Sequence, residues 1–164
     1  RLIDIWLSVH NTHPDWVLDI YGQGMLQDEL QQKILAANAG TYIHLKGSSP
    51  DIMYEYLNCS LLVLTSRYEG FPMALLEAMA CGVPCVTYDC PFGPRSMITN
   101  MRNGILVEEG DKKEMVDKIN YLIENEKNRK KIGTNARKYV LQYSQKNIMD
   151  KWNILFNNCL TLTS

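Results

Sequence analysis

Arg67-Tyr68-Glu69-Gly70-Phe71-Pro72-Met73-Ala74-Leu75-Leu76-Glu77-Ala78-Met79-Ala80-Cys81-Gly82-Val83-Pro84 is the stretch whose reading decides the fold. It reads as a loop, a helix and a stop. Pro72 suits the first helical turn, where a missing N–H costs nothing, and Gly82 followed by Pro84 ends the helix. Leu61 to Thr65 before it and Pro84 to Tyr88 after it read as parallel strands buried on both faces. The unit is strand, loop, helix, strand. Glu69 falls in the loop and Glu77 roughly a turn and a half into the helix.

Gly70 lets a ligand approach the backbone, and the start of the helix favours an anion by about 0.3–2 kcal/mol through free N–H groups and the helix dipole. Two carboxylates beside an anion site conflict only if the ligand is nothing but an anion. A shielded carboxylate gains roughly 1.5–3 kcal/mol from each hydroxyl that donates to it. A ligand with phosphate and several hydroxyls, such as a nucleotide sugar, satisfies both demands. If Glu69 and Glu77 were ordinary solvated acids, the Glu-Gly-Phe-Pro entry to the helix would have no explanation.

Working outward, residues 1 to 10 read as a helix with Leu2, Ile3, Trp6 and Leu7 on one face. Trp16 to Tyr21 reads as a strand that turns at Gly22-Gln23-Gly24 into a helix from Met25 to Ala39. A dinucleotide fingerprint is disfavoured here, because Gln27 stands where a third glycine belongs and no acidic residue ends the next strand. Tyr42 to Leu45 is the next strand, and Asp51 caps a helix to Asn58 with Tyr54 and Leu57 facing inward. Asn103-Gly104 marks a turn into a strand at Ile105 to Val107. Helices follow over Lys112 to Asn125, Asn128 to Tyr143 and Asn147 to Leu160, with Met115, Ile119 and Leu122, then Ile132, Ala136, Tyr139 and Val140, then Ile148, Trp152, Leu155 and Phe156 expected in the core. Five strands alternating with helices indicate an α/β fold with a parallel sheet covered on both faces. In such a sheet the ligand sits outside the carboxyl ends of the strands, so Gly47 to Pro50, Ser66 to Pro72 and Asp89 to Pro94 share one rim.

At 164 residues the chain buries about 70% of its extended surface, enough for one core. A net charge of −1 leaves no footprint for nucleic acid, and Lys127 to Lys131 reads as a solvated helix face. No apolar run reaches the roughly 18 residues of a membrane span. Cys59, Cys81, Cys85, Cys90 and Cys159 lack the spacing of a zinc site and read as small buried residues in a reducing, cytoplasmic setting. His10 and His13 stand alone and are not read as metal ligands. The opening Arg1-Leu2-Ile3-Asp4 has neither a start Met nor a signal-peptide pattern, so a piece of a longer protein is expected.

Glu69-Gly70-Phe71-Pro72 and Leu75-Leu76-Glu77-Ala78-Met79-Ala80-Cys81-Gly82-Val83-Pro84, with Asn103-Gly104-Ile105-Leu106-Val107 and Gly110-Asp111 downstream, resemble the C-terminal domain of retaining glycosyltransferase family 4, the group 1 transferases of the GT-B fold. Trp16 to Gly22 matches that family's second strand. The resemblance covers nearly the whole chain. It implies one Rossmann-like, donor-binding domain over residues 1–164, with a terminal helix at 144–164 and the domain's first strand missing upstream. It implies transfer from a nucleoside diphosphate sugar, expected to be UDP-linked, to a glycan or lipid-linked acceptor in capsule or lipopolysaccharide synthesis. By motif match Glu69 meets the donor sugar near the reacting carbon, and Glu77 takes the ribose hydroxyls. Backbone groups of Gly70, Phe71, Met73 and Ala74 hold sugar and distal phosphate, with Pro72 among them but unable to donate. Lys46, Gly47, Ser48 and Ser49 face the base, and Gly93 and Arg95 are rim contacts. No cofactor is implied, and with no Asp-x-Asp in the chain a metal-free mechanism is expected. The remaining expected partner is an acceptor domain of the same chain, with peripheral association at the inner face of the membrane. The family's diphosphate-gripping Arg and Lys belong to the absent strand region, and Ser96 stands where relatives with the Gly-Pro-Arg pattern carry Glu. The competing readings are an epimerase, which needs rim His and acidic residues this chain lacks, and a non-catalytic sugar-nucleotide or protein-binding module on the same scaffold.

Overall fold

Cys85, Val86, Thr87 and Tyr88 are all buried, which requires a strand flanked by other strands and covered on both faces. In the computed structural model, which describes residues 1–161, they form β4. The order is α1 (Leu2–His10), β1 (Leu18–Tyr21), α2 (Gln27–Ala36), β2 (Ile43–Gly47), α3 (Ile52–Asn58), β3 (Leu62–Leu64), α4 (Met73–Ala80), β4 (Cys85–Tyr88), β5 (Ile105–Val107), α5 (Lys112–Glu124), α6 (Glu126–Val140) and α7 (Gln145–Thr161). Single 3-10 turns lie at Pro94–Ser96 and Leu141–Tyr143. Every strand pairing is parallel.

The strands make two sheets, β1-β2 and β3-β4-β5, instead of the single sheet expected. Among the described residues, β1, β2, β3 and β5 therefore each have one edge without a strand partner. The central β4 is wholly buried, all three residues of β3 are half-buried, and two of the three residues of β5 are buried. A single hydrophobic cluster nevertheless joins both sheets. It contains Ile3, Ile5, Trp6 and Val9 of α1, Ile43 of β2, Val86 of β4, and Met115, Ile119 and Leu122 of α5. Each such side chain contributes about 1.5–3 kcal/mol on burial. Because α1 packs against α5 as well, its buried face extends to Ile5 and Val9, beyond the stripe expected.

Two further expectations about packing are corrected. On α3, Tyr54 and Leu57 are exposed and Tyr56 is the buried residue, because a helix of seven residues is too short for periodicity alone to choose its face. On α7, Trp152, Leu155 and Phe156 are exposed and Ile148 only half-buried; Trp152 stacks on Phe156 within the helix itself. That helix starts at Gln145, and residues 162–164 of the expected terminal helix lie outside the described residues. Cys59 and Cys159 are exposed, against the expectation of burial that Cys85 and Cys90 meet. In the Lys127 to Lys131 run, Arg129 is half-buried and caps α5 through bonds to Leu122 O (2.7 Å) and Ile123 O (2.9 Å). His10 stacks on Tyr42 at 3.4 Å, and His13 lies 3.3 Å from Glu124.

Helix α4 is anchored at its far end. Gly82 takes a left-handed conformation (φ 78°) that ends the helix, and Gly133 of α6 packs directly on it. A Cβ on Gly133 would stand 2.0 Å from Gly82 O, a backbone atom with no rotamer to escape by. Gly133→Ala is therefore expected to destabilise the protein by about 1–3 kcal/mol. Thermal unfolding checks this, with Gly40→Ala as the comparison, since a Cβ there meets nothing within 4 Å and is expected to be close to neutral.

Candidate functional site

Parallel pairing places the carboxyl ends of all five strands in one direction within each sheet, and the loops that leave them carry the residues singled out from sequence. At the start of α4, Pro72 is the N-cap (φ −75°, ψ 91°), not a residue of the first turn as expected. Its carbonyl opens the helix ladder, accepting from Leu75 N at 3.0 Å and Leu76 N at 3.1 Å. A proline side chain has no acceptor to offer, so it leaves the N–H groups of Met73 and Ala74 uncapped. These are two of the backbone donors expected to hold phosphate.

Glu77 lies on this helix, half-buried, and Tyr56 Oη donates to its Oε2 at 3.2 Å. Burial first, and then the Glu77 charge, pushes the Tyr56 phenol well above its ordinary value. Tyr56 thus stays protonated across the neutral range and always donates. One carboxylate oxygen is fixed by the protein, and Oε1 has no protein hydrogen bond among the described residues.

Glu69 is half-buried in the preceding loop. Gly93 presses on it so closely that a Cβ there would stand 2.8 Å from Glu69 Cβ and 3.4 Å from Pro72 Cδ. The loop after β4 therefore backs the Glu69 loop, which brings Gly93 into the site as a spacer. Cys90, buried in the same loop, has its thiol pushed up by burial first and then by the Glu69 carboxylate. Arg95 does not reach Glu69; it forms a two-pronged pair with Asp89, at 2.8 Å and 2.7 Å, and remains exposed. Ser96 folds back to donate to Gly93 O at 2.7 Å.

The third loop leaves β2. Gly47 is left-handed (φ 70°), and its carbonyl accepts from Gly22 N at 2.7 Å, which ties the two βα turns of the smaller sheet together. Ser48 Oγ accepts from Gln23 Nε2 (3.2 Å), and Ser49 Oγ donates to Glu55 Oε1 (3.4 Å). Tyr21 Oη donates to the other Glu55 oxygen at 2.7 Å, and burial, followed by Glu55, pushes that phenol up to about 12. Lys46 is exposed, at the edge of ion-pair range from Asp19 (3.9 Å). Adjacent residues of α3 thus reach two elements, with Glu55 holding the loop after β2 and Tyr56 holding Glu77 on α4. Sequence reading missed both, together with Tyr21; an acid and a tyrosine in a short amphipathic helix carry no spacing signal.

Two exposed aromatics, Tyr68 and Phe92, also stand at this rim, with ring centroids 6.4 Å apart in an edge-to-face pair. Phe92 adopts φ 67°, a conformation that costs a bulky residue on the order of 1–3 kcal/mol. Phe71 packs on Tyr143 at 5.8 Å, and Tyr139 Oη reaches Ser96 O at 3.2 Å, so the end of α6 and the turn after it brace the rim. Neither of two cavities of about 180 and 200 Å³ includes Glu69 or Glu77. No group of three or more His, Cys, Asp or Glu side chains converges among the described residues, and no helix there is long and apolar enough to cross a membrane.

The sequence matches the family described as glycosyl transferases group 1 over residues 1–139. It is 34% identical over 140 residues to the poly(ribitol-phosphate) alpha-N-acetylglucosaminyltransferase of Staphylococcus aureus, covering 85% of this chain and 28% of that protein. It is 32% identical over 157 residues to the amylovoran biosynthesis glycosyltransferase AmsD of Erwinia amylovora, covering 96% of this chain and 44% of that one. The chain thus spans less than half the length of these relatives. The crystal structure of the pneumococcal O-GlcNAc transferase GtfA in complex with UDP and GlcNAc matches with a TM-score of 0.84 at 26% identity, over 96% of this chain and 33% of that one. The chain belongs to the glycosyl transferases group 1 family, and its fold is that of the C-terminal half of the GT-B enzymes.

Proposed function

We propose that this chain is the donor-binding domain of a retaining glycosyltransferase that moves a sugar from a UDP-sugar to a glycan or lipid-linked acceptor in polysaccharide assembly. The observation that carries the reading is the pairing of Glu77, locked on one oxygen by Tyr56, with the uncapped start of the helix on which it sits. Glu77 Oε1 accepts from ribose hydroxyls, while Met73 and Ala74 N–H groups meet the distal phosphate. The backbone and side chains of Lys46 to Ser49, held by Gln23 and Glu55, face the base. Glu69, positioned by Gly93, meets the hydroxyls of the donor sugar. The UDP in the GtfA structure and the polymer-directed names of the relatives support this reading.

The departing diphosphate gathers negative charge as the glycosidic bond breaks. On this reading the start of α4 supplies part of the stabilisation without a metal, and basic residues from an upstream strand supply the rest. On the same reading, such a strand pairs the open edges of β1 and β3 and joins the two sheets. The remaining domain of the full-length protein supplies the other side of the acceptor site.

Two measurements on the full-length enzyme test these roles. Calorimetry with UDP is expected to show Glu77→Ala weakening binding by about 1–3 kcal/mol, and Tyr56→Phe, which only frees the carboxylate to rotate, by about 0.5–1.5 kcal/mol. Unchanged affinity in Glu77→Ala removes the ribose role. Steady-state kinetics of Glu69→Ala is expected to show turnover falling far more than UDP affinity, since Glu69 acts at the transferred sugar. Equal losses in both would place Glu69 on the nucleotide instead.

A further inference from the structure

We infer that Tyr68 and Phe92 form a stacking platform for a pyranose ring of the acceptor. The inference deepens the donor-domain reading above and rests on it.

The two rings come from different rim loops and flank Glu69. Tyr68 precedes Glu69 in the chain, and Phe92 precedes Gly93, the residue pressed against Glu69 Cβ. Neither ring belongs to either hydrophobic cluster; Tyr68 is 69% and Phe92 77% exposed. Their removal would open no cavity, so the core does not account for them. Phe92 is the harder residue to explain as a bystander. Its φ of 67° suits Gly, Asn or Asp, yet an aromatic occupies it. Gly93 closes on Glu69 immediately after it, and Pro91 and Pro94 stiffen the loop on either side, so the backbone is held in this shape and the ring is held out in water. A strained position kept at a site, with a large apolar group presented to solvent, points to a ligand for that group.

The geometry selects the kind of ligand. With ring planes 67° apart, one ring meets the other by its edge, so the pair exposes ring face as well as edge to solvent. An aromatic face carries negative potential. A pyranose presents a patch of slightly positive C–H groups on one side and hydroxyls around its rim, which suits a ring face beside a carboxylate such as Glu69. A polyol phosphate is flexible and offers the rings no such patch.

The test uses the full-length enzyme with its UDP-sugar donor and, as acceptor probes, octyl glucoside, octyl galactoside, octyl N-acetylglucosaminide and glycerol phosphate. Transfer to at least one pyranoside and none to glycerol phosphate is expected. With the best pyranoside, Tyr68→Ala and Phe92→Gly are each expected to raise the acceptor KM by about tenfold, with the donor KM held within about twofold. Phe92→Tyr is expected to restore the acceptor KM, since it keeps the face. Phe92→Gly also relieves the left-handed strain, so its Tm is expected to hold or rise, which separates lost stacking from lost folding. An unchanged acceptor KM in both variants, or transfer to glycerol phosphate alone, overturns the platform. A joint rise in donor and acceptor KM with a lower Tm also overturns it, because the rings would then be packing on another part of the protein. Wild-type enzyme that turns over no nucleotide sugar overturns the donor-domain reading and the platform with it. Donor turnover without the KM split overturns the platform alone.

Discussion

Parallel strand pairing is the constraint on which the rest of this domain depends. Antiparallel neighbours would send successive loops to opposite edges, and no common rim would exist. Here β3, β4 and β5 run together, so the loop bearing Glu69 and the loop bearing Gly93 leave the same edge and can press on one another. The demand that parallel strands be buried on both faces then requires helices on either side, and α4 is one of them. Its start becomes a place where backbone donors, a carboxylate and an open surface coincide.

Side chains on the small helix α3 connect that edge to the smaller sheet. Glu55 and Tyr56 are consecutive, so they project in different directions, one gripping Tyr21 and Ser49 and the other gripping Glu77. Both tyrosines have phenols shifted upward, so neither releases its proton near neutrality and neither bond has an alternate charge state there. The loop after β2 and the Glu77 carboxylate are therefore both set by one turn of helix. Their separation does not depend on long flexible side chains.

Much of this was legible in the sequence because the relevant signals are local. The run from Glu69 to Pro84 carries its own loop, helix and stop, and Asp51 and Asp111 cap their helices as cap residues do, accepting from Tyr54 N and Glu114 N. What was not legible is tertiary. The choice of Tyr56 over Tyr54 and Leu57 as the buried residue depends on where α4 lies, and the solvated apolar face of α7 depends on what else packs beside it. The split between the two sheets could not be seen in strand patterns, which record what each strand buries and not which neighbour it has. The left-handed backbone at Phe92 was hidden for a similar reason, since aromatic residues are poor predictors of that conformation.

The contact of Gly133 with Gly82 has a reach beyond the stability of the pair. Helix α4 is a rod of eight residues, about 12 Å long, too short to bend appreciably. Its lower end rests on the backbone of α6, and backbone is the least compressible bearing a protein can offer. The height of its upper end, where the uncapped Met73 and Ala74 N–H groups stand, is therefore set from below by the packing of α6. A side chain added at Gly133 has to tilt or lift α4 and so displaces the Met73 and Ala74 N–H groups at its other end, although it lies a full helix length from them.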